Sequence, residues 1–297
     1  MSIEYSLMKV TGFSFIKNAV KYQYPIVEAI QSILPLCDEV VVAVGASEDG
    51  TRDLVASIHP NKIKIIDTVW DDSLKEGGRA LAVETDKAFT AISNDTDWCF
   101  YIQGDEVVHE KGYEEIQKAM YSWKDHKEVD GLLFNYRHFY GSFDYVGISS
   151  KWYKREIRII KNNKNIFSYR DAQGFRKNQN EKLKVKLLSA FIHHYGWVRE
   201  PEAMFQKQYN FRTLWGGDSW HPEKIYGVAF DYKKETDALE KFTGTHPRVM
   251  QPRIDRMNWK FDFDLSYNKL TPKEKFKNLV EKITGKRPFD YNNYKII

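Results

Sequence analysis

Apolar positions fall in two rhythms over the first part of the chain. Short, nearly uninterrupted apolar runs occur at Lys9–Ile16, Glu39–Val44, Ile63–Ile66 and Trp98–Ile102. Runs of this length predict strands buried on both faces, as in a sheet lying between helices. Between them the spacing changes to that of helices. Pro25 opens one, with Ile26, Val27, Ala29, Ile30, Ile33 and Leu34 on a broad apolar face. Another begins near Thr51 and Asp53, and a third runs from Gly77-Gly78-Arg79 to about Ile92, with Ala80, Leu81, Val83, Ala88 and Ile92 inward. Strand, helix, strand in this order predicts an α/β fold: a mostly parallel, mixed central sheet with right-handed crossovers, flanked by helices.

The later pattern is more varied. Tyr113–Trp123 is amphipathic, Gly131–Tyr140 reads as a strand, and Arg155–Ile160 alternates charged and apolar as a half-buried strand does. Phe139–Tyr153 is an aromatic segment suited to substrate contact or to covering the core. Tyr169–Arg176 reads as a polar loop, Lys177–Lys186 as a solvated basic face, and Ala190–Gly196 as a short strand carrying two histidines. Helical spacing runs from Pro201 to about Trp215 and again over Pro272–Ile283. The expected organisation is one α/β domain over residues 1–215 and a C-terminal helical extension over 216–297.

Composition narrows the class. The chain has 297 residues, 42% hydrophobic and 15% aromatic, which suits a packed globular protein. Its net charge of +4 implies no bulk polyanion, so no nucleic acid partner is expected. The two cysteines, Cys37 and Cys99, lie in apolar surroundings and fit neither a disulfide framework nor a metal site, in keeping with a reducing cytoplasm. Met1–Val10 lacks the basic-then-apolar order of a signal peptide, and no run of 18 apolar residues exists.

The candidate chemistry sits where apolar runs end. Gln103, Gly104, Asp105 and Glu106 follow the run Trp98–Ile102, at a sheet edge of the kind where ligands bind in open α/β folds. Carboxylates there suit a hard cation that also binds phosphate oxygens. A second acidic tip is Glu48-Asp49-Gly50-Thr51.

Taken in order, these pieces resemble the family 2 glycosyltransferases of the GT-A fold over roughly residues 8–215. Phe15-Ile16-Lys17-Asn18 looks like that family's first strand ending in a basic residue and Asn. Asp38–Val42 through Glu48-Asp49-Gly50-Thr51-Arg52-Asp53 is similar to its second strand and acidic turn. Gln103-Gly104-Asp105-Glu106 stands where the family carries Asp-x-Asp, and His194-Tyr195-Gly196-Trp197-Val198-Arg199 resembles a late strand whose histidine approaches a metal.

The resemblance implies an inverting transferase that moves a sugar from a nucleotide-sugar donor to a glycan, lipid-linked or small-molecule acceptor. It assigns donor contacts to Lys17, Asn18, Glu48, Asp49, Arg79, Gln103, Asp105 and Glu106. Mn²⁺ or Mg²⁺ would sit on Asp105 and His194, offsetting the charge of the departing diphosphate. Gln103 replaces the first motif Asp, which weakens that metal site. Strand alternation points His193 away from His194. The general base of the family is an acid on a loop beyond the metal strand; Asp171 and Glu156 are the candidates, with Asp171 preferred and its neighbouring arginines keeping it ionised. The extension, with Trp215, Trp220 and Trp259, is open to covering the acceptor site, pairing subunits, or a peripheral contact with an anionic membrane. Two other readings remain: a catalytically silent carbohydrate- or nucleotide-binding protein, and a nucleotidyltransferase, for which Gly12-Phe13-Ser14 offers no Gly-rich basic loop.

Overall fold

The computed structural model describes residues 8–71, 73–74, 76–215, 229–236, 238–284, 287–289 and 291–297. Strand β1 (Val10–Ile16) leads through α1 (Ile26–Ile33) to β2 (Glu39–Gly45), then through α2 (Thr51–Ala56) to β3 (Ile63–Thr68) and through α3 (Arg79–Thr90) to β4 (Trp98–Tyr101). A short strand β5 (Glu106–Val108) and α4 (Tyr113–Trp123) follow. The strands β6 (Gly131–Tyr140), β7 (Tyr145–Gly147), β8 (Arg155–Lys161), β9 (Ile166–Tyr169), β10 (Gly174–Lys177) and β11 (Glu181–Trp197) come next. After α5 (Pro201–Trp215) come β12 (Leu239–Lys241), α6 (Gln251–Asp255), α7 (Pro272–Thr284) and β13 (Tyr294–Ile296).

The main sheet runs β3-β2-β1-β4-β8-β6-β11-β10-β9. Its first four strands are parallel, as the strand–helix alternation requires. Strand β8 enters antiparallel between β4 and β6, making the sheet mixed. The α/β fold read from the sequence, a mostly parallel, mixed sheet flanked by helices, is the fold observed. Val40, Val42, Trp98, Phe100 and Ile102 bury against α1 on one face, while Phe13, Tyr101 and Phe89 pack on the other. Burial on both faces is why these strands are written as apolar runs instead of alternating ones.

Two stretches differ from their sequence reading. Lys177–Lys186, expected as a solvated face, belongs to the β10–β11 hairpin, where Leu183 and Val185 are buried and the lysines take the alternate positions. The strand thereby lengthens from the seven residues of Ala190–Gly196 to seventeen. Beyond residue 229 the chain is not only helical: β12 pairs with β7, and β13 adds a parallel strand to β11. Trp259 donates to the Gly141 carbonyl at 2.7 Å, whereas Trp220 lies outside the described residues.

His193 points away from His194, as alternation predicts, into a cluster with Phe139, Tyr195 and His246. Burial first, then Arg137, push it well below the ordinary imidazole range. Its folded pKa is below its unfolded one, so its contribution to stability is present above pH 6.5 and lost as pH falls. Over the pH unit below 6.5, wild-type protein is expected to lose about 1 kcal/mol through this residue alone. Urea titrations of His193→Phe should show an acid slope flatter by that amount; an unchanged slope would assign the acid sensitivity elsewhere.

Candidate functional site

The carboxyl ends of β1 and β4 open into a cavity of about 470 Å³. Six of the residues picked out from the sequence line it: Lys17, Asn18, Gln103, Asp105, Asp171 and His194. They come from four parts of the chain that only the sheet brings together.

Asp105 sits in the turn between β4 and β5, where its carbonyl accepts from the Tyr195 amide at 2.8 Å and so ties the turn to β11. Its Oδ1 faces His194 Nε2 at 3.6 Å. Its Oδ2 meets Lys207 Nζ at 3.3 Å and Arg199 Nη2 at 3.9 Å. Burial opposes ionisation of Asp105, but Lys207, then His194 and Arg199, hold its carboxyl well below the usual carboxylate range. Burial in turn pushes Lys207 down to about 7, with Arg199 acting in the same direction and Asp105 against it. Gly196 makes this closeness feasible: a Cβ there would lie 2.6 Å from His194 Nε2 and 2.8 Å from Asp105 Oδ2.

The protonation of His194 follows from its neighbours. His138 Nε2 donates to the Tyr153 carbonyl at 2.8 Å, because a carbonyl only accepts. Burial, and then His194, push His138 well below the ordinary imidazole range, so its Nδ1 is a bare acceptor. It therefore accepts from His194 Nδ1–H at 3.0 Å. His194 is left presenting Nε2 to a carboxylate oxygen at 3.6 Å. One carboxylate oxygen and one oriented imidazole nitrogen fit a divalent ion, with His138 as the outer partner that sets the tautomer. Among the described residues no group of three or more His, Cys, Asp or Glu could hold a metal, so these two are the ligands that the described residues would supply.

Gln103 has a different task from the Asp it replaces. Its side-chain amide donates to the Ala172 carbonyl at 3.0 Å and to the Tyr101 hydroxyl at 3.3 Å. A carboxylate could not donate to that carbonyl. Gln103 thus joins the β4 turn to the loop that carries Asp171. Arg170 and Ala172, on either side of Asp171, both hold left-handed backbone, φ 57° and 64°. Such conformations cost energy in non-glycine residues and gather where a side chain must be aimed. The sequence reading expected neighbouring arginines to keep Asp171 ionised; instead burial outweighs Arg170 and raises its pKa. Glu156, the other candidate base, is buried beside Gln173, which donates to it at 3.0 Å, and burial pushes it up to about 7.

The remaining sequence candidates lie outside the cavity lining. Glu106 is fully buried and forms a bidentate pair with Arg158, both contacts 2.7 Å. Asp49 accepts from the Lys21 amide at 2.7 Å and the Thr51 hydroxyl at 2.5 Å, fastening the acidic turn to the loop after β1. Burial opposes its ionisation, yet these bonds leave its pKa lowered. The Thr51 hydroxyl oxygen also accepts from the Ala19 amide at 2.7 Å, and Ser47 Oγ accepts from the Asn18 amide at 3.0 Å, so this segment holds the loop after β1. Glu48 is exposed beside it, and Arg79 is exposed at the start of α3.

Tyr24, Trp70 and Lys207 also line the cavity and carry no motif by which a sequence could single them out, whereas Trp197 lies in the quoted histidine stretch and Tyr153 ends the aromatic segment Phe139–Tyr153. Arg199 was part of the quoted histidine stretch, and only the structure reveals its pairing with Asp105. Lys17 Nζ stands 5.5 Å from the Trp70 ring, and Phe15 packs against the same ring at 5.9 Å.

No protein-family model matches the chain, and no curated protein matches it. Several solved structures are similar at low identity. S. aureus TarS 1-349 in complex with UDP is 15% identical, with a TM-score of 0.39, over 69% of this chain and 64% of that one. Glucosyl-3-phosphoglycerate synthase from Mycobacterium tuberculosis, in complex with Mn²⁺, UDP and glucosyl-3-phosphoglycerate, is 16% identical, with a TM-score of 0.31 over 45% of each chain. The 4-diphosphocytidyl-2C-methyl-D-erythritol synthase from Anaerococcus prevotii is 10% identical, with a TM-score of 0.35, over 63% of this chain and 90% of that one. The match spans less than two thirds of the TarS chain.

Proposed function

We propose that the chain is an inverting, nucleotide-sugar-dependent glycosyltransferase. The observation that carries this reading is the convergence of Lys17, Asn18, Gln103, Asp105, Asp171 and His194 on one cavity at the carboxyl edge of the parallel strands. Residues 1–215 form the transferase domain, and the segment from 216 serves the acceptor side. Phe15 and Trp70 offer aromatic faces to a base, and Lys17 a cation to its phosphates. Asp105 Oδ1 and His194 Nε2 would hold Mn²⁺ in preference to Mg²⁺, which favours oxygen-only shells. Such an ion, when bound, supplies positive charge to the diphosphate oxygens. Lys207 and Arg199 add protein-borne positive charge on the other side of Asp105, so the site is not wholly dependent on the metal.

Asp171 accepts the proton of the acceptor hydroxyl as that oxygen bonds to the anomeric carbon. The bond from that carbon to the diphosphate breaks on the opposite face, and the nucleoside diphosphate leaves with the electron pair. Burial, which raises the basicity of Asp171, suits this role.

Thermal unfolding with UDP, GDP, CMP and dTDP, each with Mn²⁺, Mg²⁺ or chelator, tests the reading. One nucleotide is expected to raise the midpoint, most with Mn²⁺, by up to about 2.7 kcal/mol of stabilisation at a hundredfold excess over Kd. A shift equal in chelator would assign Asp105 and Lys207 to metal-free binding. No shift with any nucleotide would overturn the transferase reading.

A further inference from the structure

A second cavity, of about 670 Å³, adjoins the first, and Tyr153 and Gln173 line both. Its walls come from residues 150–156, from the loop at 169–173, from α7 and from the tail that ends in β13. The tail is anchored: β13 pairs with β11, and Arg176 donates to the Asn293 carbonyl at 2.9 Å and to the Tyr291 hydroxyl at 2.5 Å. The cavity is therefore built on the sheet and is not a gap between loose ends.

Its charge is one-sided. Lys151, Lys154, Arg155, Arg170, Lys277 and Arg287 line it, against the carboxylates Glu156 and Glu281 among the described residues. Glu281 already faces Arg287 at 3.9 Å, and burial of Glu156 disfavours its charge. Exposed aromatic faces stand among these cations: Tyr291 is 64% exposed and Phe289 83%. Arg170 lies over both Tyr169 and Tyr291, at 5.1 and 5.7 Å. Flat faces for sugar rings beside guanidinium groups that pair oxyanions are the chemistry of an acidic glycan site.

We propose that this second cavity binds an anionic glycan acceptor, one bearing phosphate, sulfate or carboxylate groups, and passes its hydroxyl across Tyr153 and Gln173 to the donor cavity. The proposal rests on the transferase reading for the word acceptor, but the binding itself does not. A whole-chain charge of +4 hides it, because the excess is local.

The test uses the full chain, with a fluorescent sulfated dextran oligosaccharide and the matched neutral dextran. Fluorescence anisotropy is expected to show the sulfated probe binding at least tenfold tighter at low salt. The surface double variant Lys151→Gln/Lys154→Gln should weaken that binding about tenfold, while the exposed control Lys118→Gln on α4 leaves it unchanged. Both variants should keep the nucleotide-dependent thermal shift of the wild type. Equal binding of the neutral probe, or an equal loss in the Lys118 control, overturns the proposal. A single-stranded oligonucleotide of matched charge competing as well as the sulfated glycan also overturns it, in favour of a general polyanion surface. If no nucleotide gives a thermal shift but the sulfated probe still binds at this face, the transferase reading fails and the glycan site stands.

Discussion

Glu106→Gln is expected to lower the free energy of unfolding by about 3–5 kcal/mol, the usual cost of leaving a buried charge without its partner. Arg158 is fully buried, and Glu106 is its carboxylate partner, with Oε1 also accepting from the Tyr136 hydroxyl at 2.9 Å. Glu106 Oε2 further accepts from the Gln103 amide at 3.2 Å, so the pair holds the backbone from which Gln103 reaches Ala172. Replacing both members, as Glu106→Met/Arg158→Met, should recover more than half of the loss, because an apolar pair of similar volume leaves no orphaned charge. Urea denaturation of the two variants decides it. A single variant as stable as wild type would show that the pair does not hold the fold.

Asp171→Asn is expected to lower kcat by about 10²–10⁴-fold, the range a positioned general base contributes. The nucleotide-dependent thermal shift should stay at its wild-type size, because the change removes a proton acceptor and not a donor contact. The pH profile adds a second readout: burial raises the Asp171 pKa, so wild-type turnover should fall as acid protonates it, at a higher pH than an unburied aspartate would give. Near-wild-type turnover in Asp171→Asn would transfer the role to Glu156, whose pKa of about 7 would place the fall near neutrality.

The contrast between Asp105 and Glu106 marks where sequence reading stopped. The two acids are adjacent after the same apolar run, and a pattern of residue types treats them alike. Asp105 lies in the turn before β5 and Glu106 begins that strand, so one enters the cavity beside His194 and the other turns inward to Arg158. Asp49 makes the same point: its motif position was legible, but whether it met a ligand or the Lys21 amide depended on a loop 28 residues away. His138 and Lys207 show the reverse. Neither sits in a motif, yet one sets the tautomer of His194 and the other neutralises Asp105, across sequence separations of 56 and 102 residues.

What the sequence determined by itself was the order of buried strands and covering helices, hence the parallel half of the sheet, and the strand edge where Lys17, Gln103 and Asp105 would emerge. Apolar period and turn chemistry are local, and a chain can write them residue by residue. Tertiary structure decided which polar side chains met: the cations around Asp105, the raised basicity of Asp171, and the gathering of six cations about a second cavity. Those depend on burial and on distances between remote segments, and charge interactions at a few ångströms carry no periodic trace along the chain.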